Sequence, residues 1–227
     1  MATKKLLLIG AVAVVALATT AGIYYFVTKM AQEQKAQKDS EDSQFTVEED
    51  TDEEGTPVVE EKDILFVVAP GDYRDEELDD SRQVLEAAGY SAVIASKGVS
   101  TAKGMLGGSV SVDLDVANVQ VADYIAVVFI GGSGAEVYFD DATVQNIAKQ
   151  AVEQGKVVGA ICIAPSILAN AGLLEGKQAT AYSSEASSLS GHGATYTGKA
   201  VTTDGLIVTA NGPEAAEAFG EALLALL

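Results

Sequence analysis

The chain has 227 residues, of which 33 are acidic and 14 basic, so its formal net charge is -19. An acidic chain without a basic stripe argues against the nucleic-acid-binding classes, because these need clustered positive charge. Cys162 is the single cysteine, which excludes an intrachain disulfide and a multi-cysteine metal site. We therefore expect no nucleic-acid partner, no metal and no cofactor.

Residues 1–29 form the first of three parts, an apolar segment with lysines near both ends. Residues 6–27 carry no charge and exceed the roughly 20 residues that a helix needs to span a bilayer. We expect a single-pass membrane anchor, with the rest of the chain outside the cytoplasm. The alternative is a cleaved signal peptide, since residues 16–18 read Ala-Leu-Ala, and the protein would then be secreted.

Residues 30–61 form the second part and are acidic, with almost no large apolar side chains. Such a segment cannot bury a core, so we predict a disordered linker. Residues 62–227 form the third part, rich in valine, alanine and glycine. This part is long enough for one globular domain with its own core.

Short apolar runs alternate with amphipathic stretches along the third part, and they predict strands and helices respectively. The predicted strands cover residues 63–69, 90–96, 125–130, 157–161, 179–182, 201–203 and 206–210. The predicted helices cover residues 75–88, 141–154, 164–171 and 213–227, and residues 104–112 indicate a small hairpin. This order predicts an α/β fold, with a doubly wound, mostly parallel sheet and helices on both faces.

Cys162 lies where the predicted strand at residues 157–161 meets the helix at residues 164–171. A tight turn there lifts the thiol above the sheet edge, as in a nucleophile elbow, and the helix N-terminus favours the thiolate. The alternative is a small buried hydrophobic residue, the usual role of an isolated cysteine. Because sites form at the carboxyl ends of parallel strands, we expect the turns at residues 71–77 and 131–135 to converge on Cys162.

Three stretches together resemble the ThiJ/PfpI superfamily: residues 129–134 (FIGGSG), 160–165 (AICIAP) and 204–213. This superfamily has the class I glutamine amidotransferase-like fold and includes PfpI-type proteases and the parkinsonism-associated deglycase. The resemblance covers residues 62–227 and implies a flavodoxin-like domain, a homodimer and a reactive cysteine.

The resemblance also implies roles for individual residues. The reactive cysteine matches Cys162, and the backbone N–H groups of Gly131, Gly132 and Ile163 match the donors that stabilise an oxyanion. PfpI-type proteases have a histidine directly after the cysteine, whereas this chain has Ile163, which cannot act as a base. His192 is the only histidine, and we expect it in an exposed loop, so a Cys–His peptidase is disfavoured.

Relatives also carry a glutamate after the first strand that hydrogen-bonds the cysteine. Arg74 occupies the matching position, and a cation there would lower the thiol pKa. A local shift could instead present Asp75 or Glu76, although acids in this turn could simply complement the helix dipole. Tyr182, near a histidine position of the deglycases, is a possible pocket residue, with packing as the alternative.

The sequence favours a membrane-tethered enzyme whose thiol acts on small reactive carbonyls or their adducts, as in glyoxalases and deglycases. One alternative is a redox-sensing or stress-protective protein without catalysis, in which peroxide oxidises Cys162 to the sulfinate. A PfpI-type cysteine peptidase or hydrolase is disfavoured by Ile163, and a purely binding domain is the last alternative. The expected partners are a small carbonyl compound, the membrane through residues 6–27, and a second copy of the chain.

Overall fold

Residues 63–227 are the part of the chain that this computed structural model describes. Its strands are β1 Asp63–Val67, β2 Ser91–Ser96, β3 Thr101–Lys103, β4 Ser109–Ser111, β5 Leu114–Asp115, β6 Ala126–Phe129, β7 Val157–Ile161, β8 Gln178–Ala179, β9 Thr195–Tyr196, β10 Val201–Asp204 and β11 Ile207–Ala210. Its α-helices are α1 Asp75–Ala87, α2 Ala142–Glu153, α3 Pro165–Asn170, α4 Ala186–Gly191 and α5 Ala216–Leu224. Short 3₁₀ helices include Ser133–Tyr138 and Pro213–Ala215.

Seven strands form the main sheet in the order β10-β11-β7-β6-β1-β2-β5. All neighbours are parallel except β10 and β11, which form an antiparallel pair at one edge. Strands β3 and β4 form a hairpin, but its first strand, Thr101–Lys103, lies before the predicted range of residues 104–112. Strand β8 pairs with β9 outside the main sheet. The central strands follow the flavodoxin-like order, so the predicted α/β fold is confirmed.

The core lies on both faces of this sheet because its central strands are buried on both sides. Along β1, Leu65 and Val67 belong to one apolar cluster, whereas Ile64 and Phe66 belong to the other. Helices α2 and α3 cover the first cluster, and α1 and α5 cover the second. The helices therefore leave the carboxyl ends of the strands open for a site.

Two further predicted elements differ from those observed. The strand predicted at residues 179–182 ends at Ala179, because the next N–H groups bond elsewhere: Thr180 N–H donates to Thr209 Oγ1 and Tyr182 N–H to the Cys162 carbonyl. The helix predicted at residues 213–227 begins with a 3₁₀ turn and becomes α-helical only at Ala216.

The predicted membrane anchor and disordered linker, residues 1–61, lie outside the described residues. Within residues 63–227, no helix has the length and apolarity needed to cross a membrane.

Candidate active site around Cys162

The loops after β1 and β6 are joined by backbone hydrogen bonds beside the end of β7. Arg74 N–H donates to the Gly131 carbonyl, and Gly134 N–H donates to the Asp72 carbonyl, each at 3.0 Å. Cys162 follows β7 directly. The three turns that the sequence predicts to converge therefore meet at one edge of the sheet.

Cys162 has a backbone φ of 62°, in the left-handed region that residues other than glycine rarely adopt. Its N–H donates to the Ala210 carbonyl at 2.9 Å, and its own carbonyl accepts from Tyr182 N–H at 2.8 Å. These two bonds hold a conformation that costs on the order of 1–3 kcal/mol. The residue is 9% exposed, so the thiol is largely buried, and the strained turn is the feature that it shares with a nucleophile elbow.

Glu77 is the acidic residue beside the thiol. It lies in the first turn of α1 and is 0% exposed. Its Oε2 accepts from Gly131 N–H at 3.0 Å, and its Oε1 lacks a well-aligned donor among the described residues. The carboxyl lies beside the Cys162 thiol, and each group shifts the pKa of the other.

Burial controls the protonation of this pair. It raises the pKa of Glu77 to about 7, although the Cys162 thiol, the Gly131 N–H and Arg74 act in the opposite direction. Burial and the negative charge of Glu77 raise the pKa of the Cys162 thiol to about 12, against the N–H groups of Gly132 and Ile163. The expected stabilisation of the thiolate by the helix N-terminus is therefore outweighed by desolvation.

Three residues predicted as partners of the thiol have other contacts. Arg74 binds Glu76 through Nε and Nη2 at 2.8 and 3.0 Å, and the Cys162 thiol contributes least among the groups that raise the Arg74 pKa. Asp75 accepts from Leu106 N–H and Gly108 N–H, both at 2.8 Å, in the loop between β3 and β4. The position proposed for Arg74, Asp75 or Glu76 next to the thiol is occupied by Glu77.

The sequence contained a signal for Glu77 that the motif comparison missed. Glu77, Ser81 and Leu85 recur at four-residue spacing and, with Leu78, form the buried face of α1. The apolar positions Leu78 and Leu85 set the phase of this helix. An acid on the inward face of an amphipathic helix is rare enough to mark a candidate site.

Two of the three predicted backbone donors point to the sulfur. The N–H groups of Gly132 and Ile163 lie near the Cys162 sulfur and lower the pKa of its thiol, whereas the Gly131 N–H donates to Glu77. Gly131 is nevertheless essential to the packing. A Cβ there would come within 2.6 Å of the Cys162 Cβ and 2.8 Å of Glu77 Oε2, closer than real contacts allow.

A cavity of about 370 Å³ opens over the thiol. Tyr182 lines it and is 50% exposed, so this predicted pocket residue lies at the cavity. His192 is not among the lining residues. It is exposed, with Nδ1 at 2.8 Å from the Ser188 carbonyl. Ile163 also lines the cavity, and it cannot exchange a proton. Among residues 63–227, the carboxyl that interacts with the thiol is that of Glu77.

Comparison with known proteins places this site in a family. The model of the DJ-1/PfpI family matches residues 62–226. The putative cysteine protease YraA of Bacillus subtilis is 33% identical over 164 residues, covering 72% of this chain and 97% of that protein. The deglycase PfpI of Pyrococcus furiosus is 38% identical over 122 residues, covering 52% of this chain and 71% of that protein.

Two further matches agree with the family model. An uncharacterized protein of Methanocaldococcus jannaschii is 38% identical over 120 residues, which cover 52% of this chain and only 58% of that protein. The crystal structure of a ThiJ/PfpI domain protein from Brachyspira murdochii superposes with a TM-score of 0.71 and 34% identity, over 73% of this chain and 95% of that one. The resemblance found in the sequence motifs is confirmed, and residues 62–226 belong to the DJ-1/PfpI family.

Proposed function

We propose that this domain is a cysteine-dependent enzyme that acts on small reactive carbonyls or their adducts, of the glyoxalase or deglycase kind. The observation that carries the proposal is the buried pair of Cys162 and Glu77, held at the floor of an open cavity. A carboxyl whose pKa is about 7 can both accept and return a proton at neutral pH. The deglycase PfpI among the relatives is consistent with this activity.

The chemistry follows from the groups present. The Cys162 sulfur adds to the carbonyl carbon while its proton passes to Glu77. The N–H groups of Gly132 and Ile163, which lower the pKa of the thiol, are the donors available to the neighbouring oxyanion. Glu77 then returns the proton to that oxygen, which gives a neutral hemithioacetal. The preorganised donors and the proton carrier are what a free thiol in water lacks.

Methylglyoxal consumption by the purified chain tests this proposal. We expect turnover in the wild type and a loss of at least about 100-fold in Cys162→Ser, because a serine hydroxyl is a far weaker nucleophile without a strong base. A Ser190→Ala variant, altered at an exposed site, is the matched control. A wild type without activity on methylglyoxal or on glycated amines would refute the enzyme function.

Redox sensing is the second candidate, because the N–H groups of Gly132 and Ile163 would also hold a sulfinate. Peroxide treatment followed by mass spectrometry separates the two. Addition of two oxygens to Cys162, without carbonyl turnover, favours the sensor.

Peptidase activity is suggested by the name of YraA. It is disfavoured because this site has no histidine beside the Cys162 sulfur. A casein assay with the wild type and Cys162→Ser tests it.

The location of the chain is part of the proposal. Residues 6–27 would anchor the domain to a membrane through the acidic segment at residues 30–61, with the domain outside the cytoplasm. Carbonate extraction of membranes and protease accessibility test the anchor and its orientation. Release of the full chain by carbonate would refute the anchor.

We also propose a homodimer, and light scattering of residues 62–227 measures its mass.

A further inference from the structure

The cavity over Cys162 is lined by more acids than bases. Glu77 lies at its floor, and Glu136, Glu185 and Glu214 lie around it, whereas Arg74 is its one basic lining residue. The Arg74 guanidinium is already paired with Glu76. Within residues 63–227, no lysine or arginine lies within 4.0 Å of the carboxylates of Glu136, Glu185 or Glu214.

Glu185 is held in place by neutral donors. Its Oε2 accepts from Ser166 Oγ and its Oε1 from Ser184 Oγ, each at 2.7 Å. Two hydroxyl donors orient the carboxylate without neutralising it, and Ser166 is itself buried. A fixed, unneutralised charge beside a cavity acts on every ligand that enters.

A second, independent feature points to a ligand in this cavity. Glu77 is fully buried and lines the cavity, and its Oε1 lacks a partner among the described residues. A buried carboxyl oxygen without a donor is costly to maintain. It is satisfied when a ligand brings a hydroxyl or N–H group next to the Cys162 sulfur.

We propose that the site selects carbonyl compounds that carry a positive charge, such as aldehydes bearing an ammonium or guanidinium group, and excludes those that carry a carboxylate. The inference rests on the proposed function and specifies its substrate class. The Cys162 sulfur forms a bond to the carbonyl carbon, the thiol proton reaches the carbonyl oxygen through Glu77, and the product is a hemithioacetal without change of oxidation state. The cation lies among Glu136, Glu185 and Glu214.

Charged thiol reagents test this inference without requiring turnover. The reagents are methanethiosulfonates with a trimethylammonium, a neutral or a sulfonate head group. The rate constant of each reagent with Cys162 is divided by the rate constant of the same reagent with 2-mercaptoethanol, which removes differences in intrinsic reactivity. We expect the cationic reagent to exceed the anionic one by about tenfold at 0.15 M salt, since three charges act at partly screened distances. The ratio should fall towards one in 1 M NaCl.

Matched variants identify the source of the preference. Combining Glu136→Gln, Glu185→Gln and Glu214→Gln should bring the ratio close to one, whereas Glu153→Gln, at an exposed site outside the cavity lining, should leave it unchanged. Equal normalised rates in the wild type, or a preference retained by the triple variant, would overturn this inference alone. A Cys162 that reacts with none of the reagents would overturn the proposed function as well.

Carbonyl probes extend the test to the proposed chemistry. Betaine aldehyde carries a permanent cation and glyoxylate a carboxylate, and hemithioacetal formation protects Cys162 from the neutral reagent. We expect betaine aldehyde to protect at a concentration at least about tenfold lower than glyoxylate, after correction for their affinities for 2-mercaptoethanol. Stronger protection by glyoxylate would overturn the inference.

Discussion

At the residue scale, the Glu77 carboxyl and the Cys162 thiol are two acidic groups that lie side by side and away from water. Two such groups cannot both be charged without a large cost, so their protons leave in two widely separated steps. The first step falls near pH 7, and the second occurs only at high pH. Between these two steps, from above pH 7 to high pH, the pair therefore holds a single negative charge.

Replacing Glu77 by Gln should separate thiol acidity from catalysis. The change removes a neighbouring negative charge that raises the pKa of Cys162, so the pH profile of iodoacetamide alkylation should shift to lower pH. Carbonyl turnover should nevertheless fall by about 100-fold, because the proton acceptor is lost. An alkylation profile identical to that of the wild type would show that Glu77 exerts no charge effect on the thiol.

Gly131 should tolerate no side chain. In Gly131→Ala the new Cβ meets the Cys162 Cβ, the Ile161 carbonyl and Glu77 Oε2 at 2.6–2.8 Å. The backbone has to shift, and we expect the free energy of unfolding to fall by about 1–3 kcal/mol. Urea denaturation measures this loss. Gly191→Ala is the control, since a Cβ there meets nothing within 4 Å, and equal stability of the two variants would contradict the close packing.

At the scale of elements, α1 and the β3–β4 hairpin form one wall of the site. The Asp75 carboxylate accepts two N–H groups of the hairpin loop, and Met105 in that loop lines the cavity. Asp75, which the sequence predicts as a partner of the thiol, therefore hydrogen-bonds a neighbouring loop instead. Its role is to position the wall rather than to take part in the reaction.

Asp75→Ala should loosen this loop and leave Cys162 unaffected. The amides of Leu106 and Gly108 lose their acceptor, so their hydrogen exchange should accelerate at least about tenfold, as expected for a bond worth about 1.4 kcal/mol or more. Asp80→Ala, an exposed acid on the same helix, should change neither amide. The pH profile of Cys162 alkylation should remain that of the wild type, and a shifted profile would argue for a direct role of Asp75.

The sequence predicts the strands and helices of this molecule better than it predicts the contacts between them. Strands such as β1 and β7 are recognisable because both faces are buried and their apolar runs are continuous. The early end of β8 is set by hydrogen bonds to distant residues, which periodicity does not contain. The 3₁₀ turn before α5 is closed by a local bond from Ala215 N–H to the Gly212 carbonyl, which periodicity does not distinguish from the first turn of an α-helix. The pairing of Glu77 with Cys162 depends on which side chains of α1 face the sheet. Aligning the motif residue by residue does not contain this information, and it placed Arg74 beside the thiol instead.

At the scale of the whole molecule, Glu77 links stability to pH. Its pKa is about 7 in the folded protein and near 4.3 in an unfolded chain. The folded state thus binds the proton more strongly, and stability decreases as the pH rises from about 4 to about 7, then stays level. The full difference amounts to about 4 kcal/mol at most.

Denaturation of the wild type and Glu77→Gln across this pH range isolates the contribution. Other groups have shifts in the opposite direction, for example Asp115, Asp141 and Asp204, but they are common to both proteins. We expect Glu77→Gln to gain stability relative to the wild type between pH 5 and pH 8. A constant difference over that range would mean that the Glu77 pKa is not raised.

The two backbone bonds of Cys162 have a consequence for biosynthesis. Its N–H is held by Ala210 and its carbonyl by Tyr182, both of which leave the ribosome after the cysteine itself. The left-handed turn therefore lacks its bond to Ala210 until β11 has been translated and paired with β7. A nascent chain stopped before Ile207 can form only the bond to Tyr182, so we expect the complete site to form only when synthesis is almost finished.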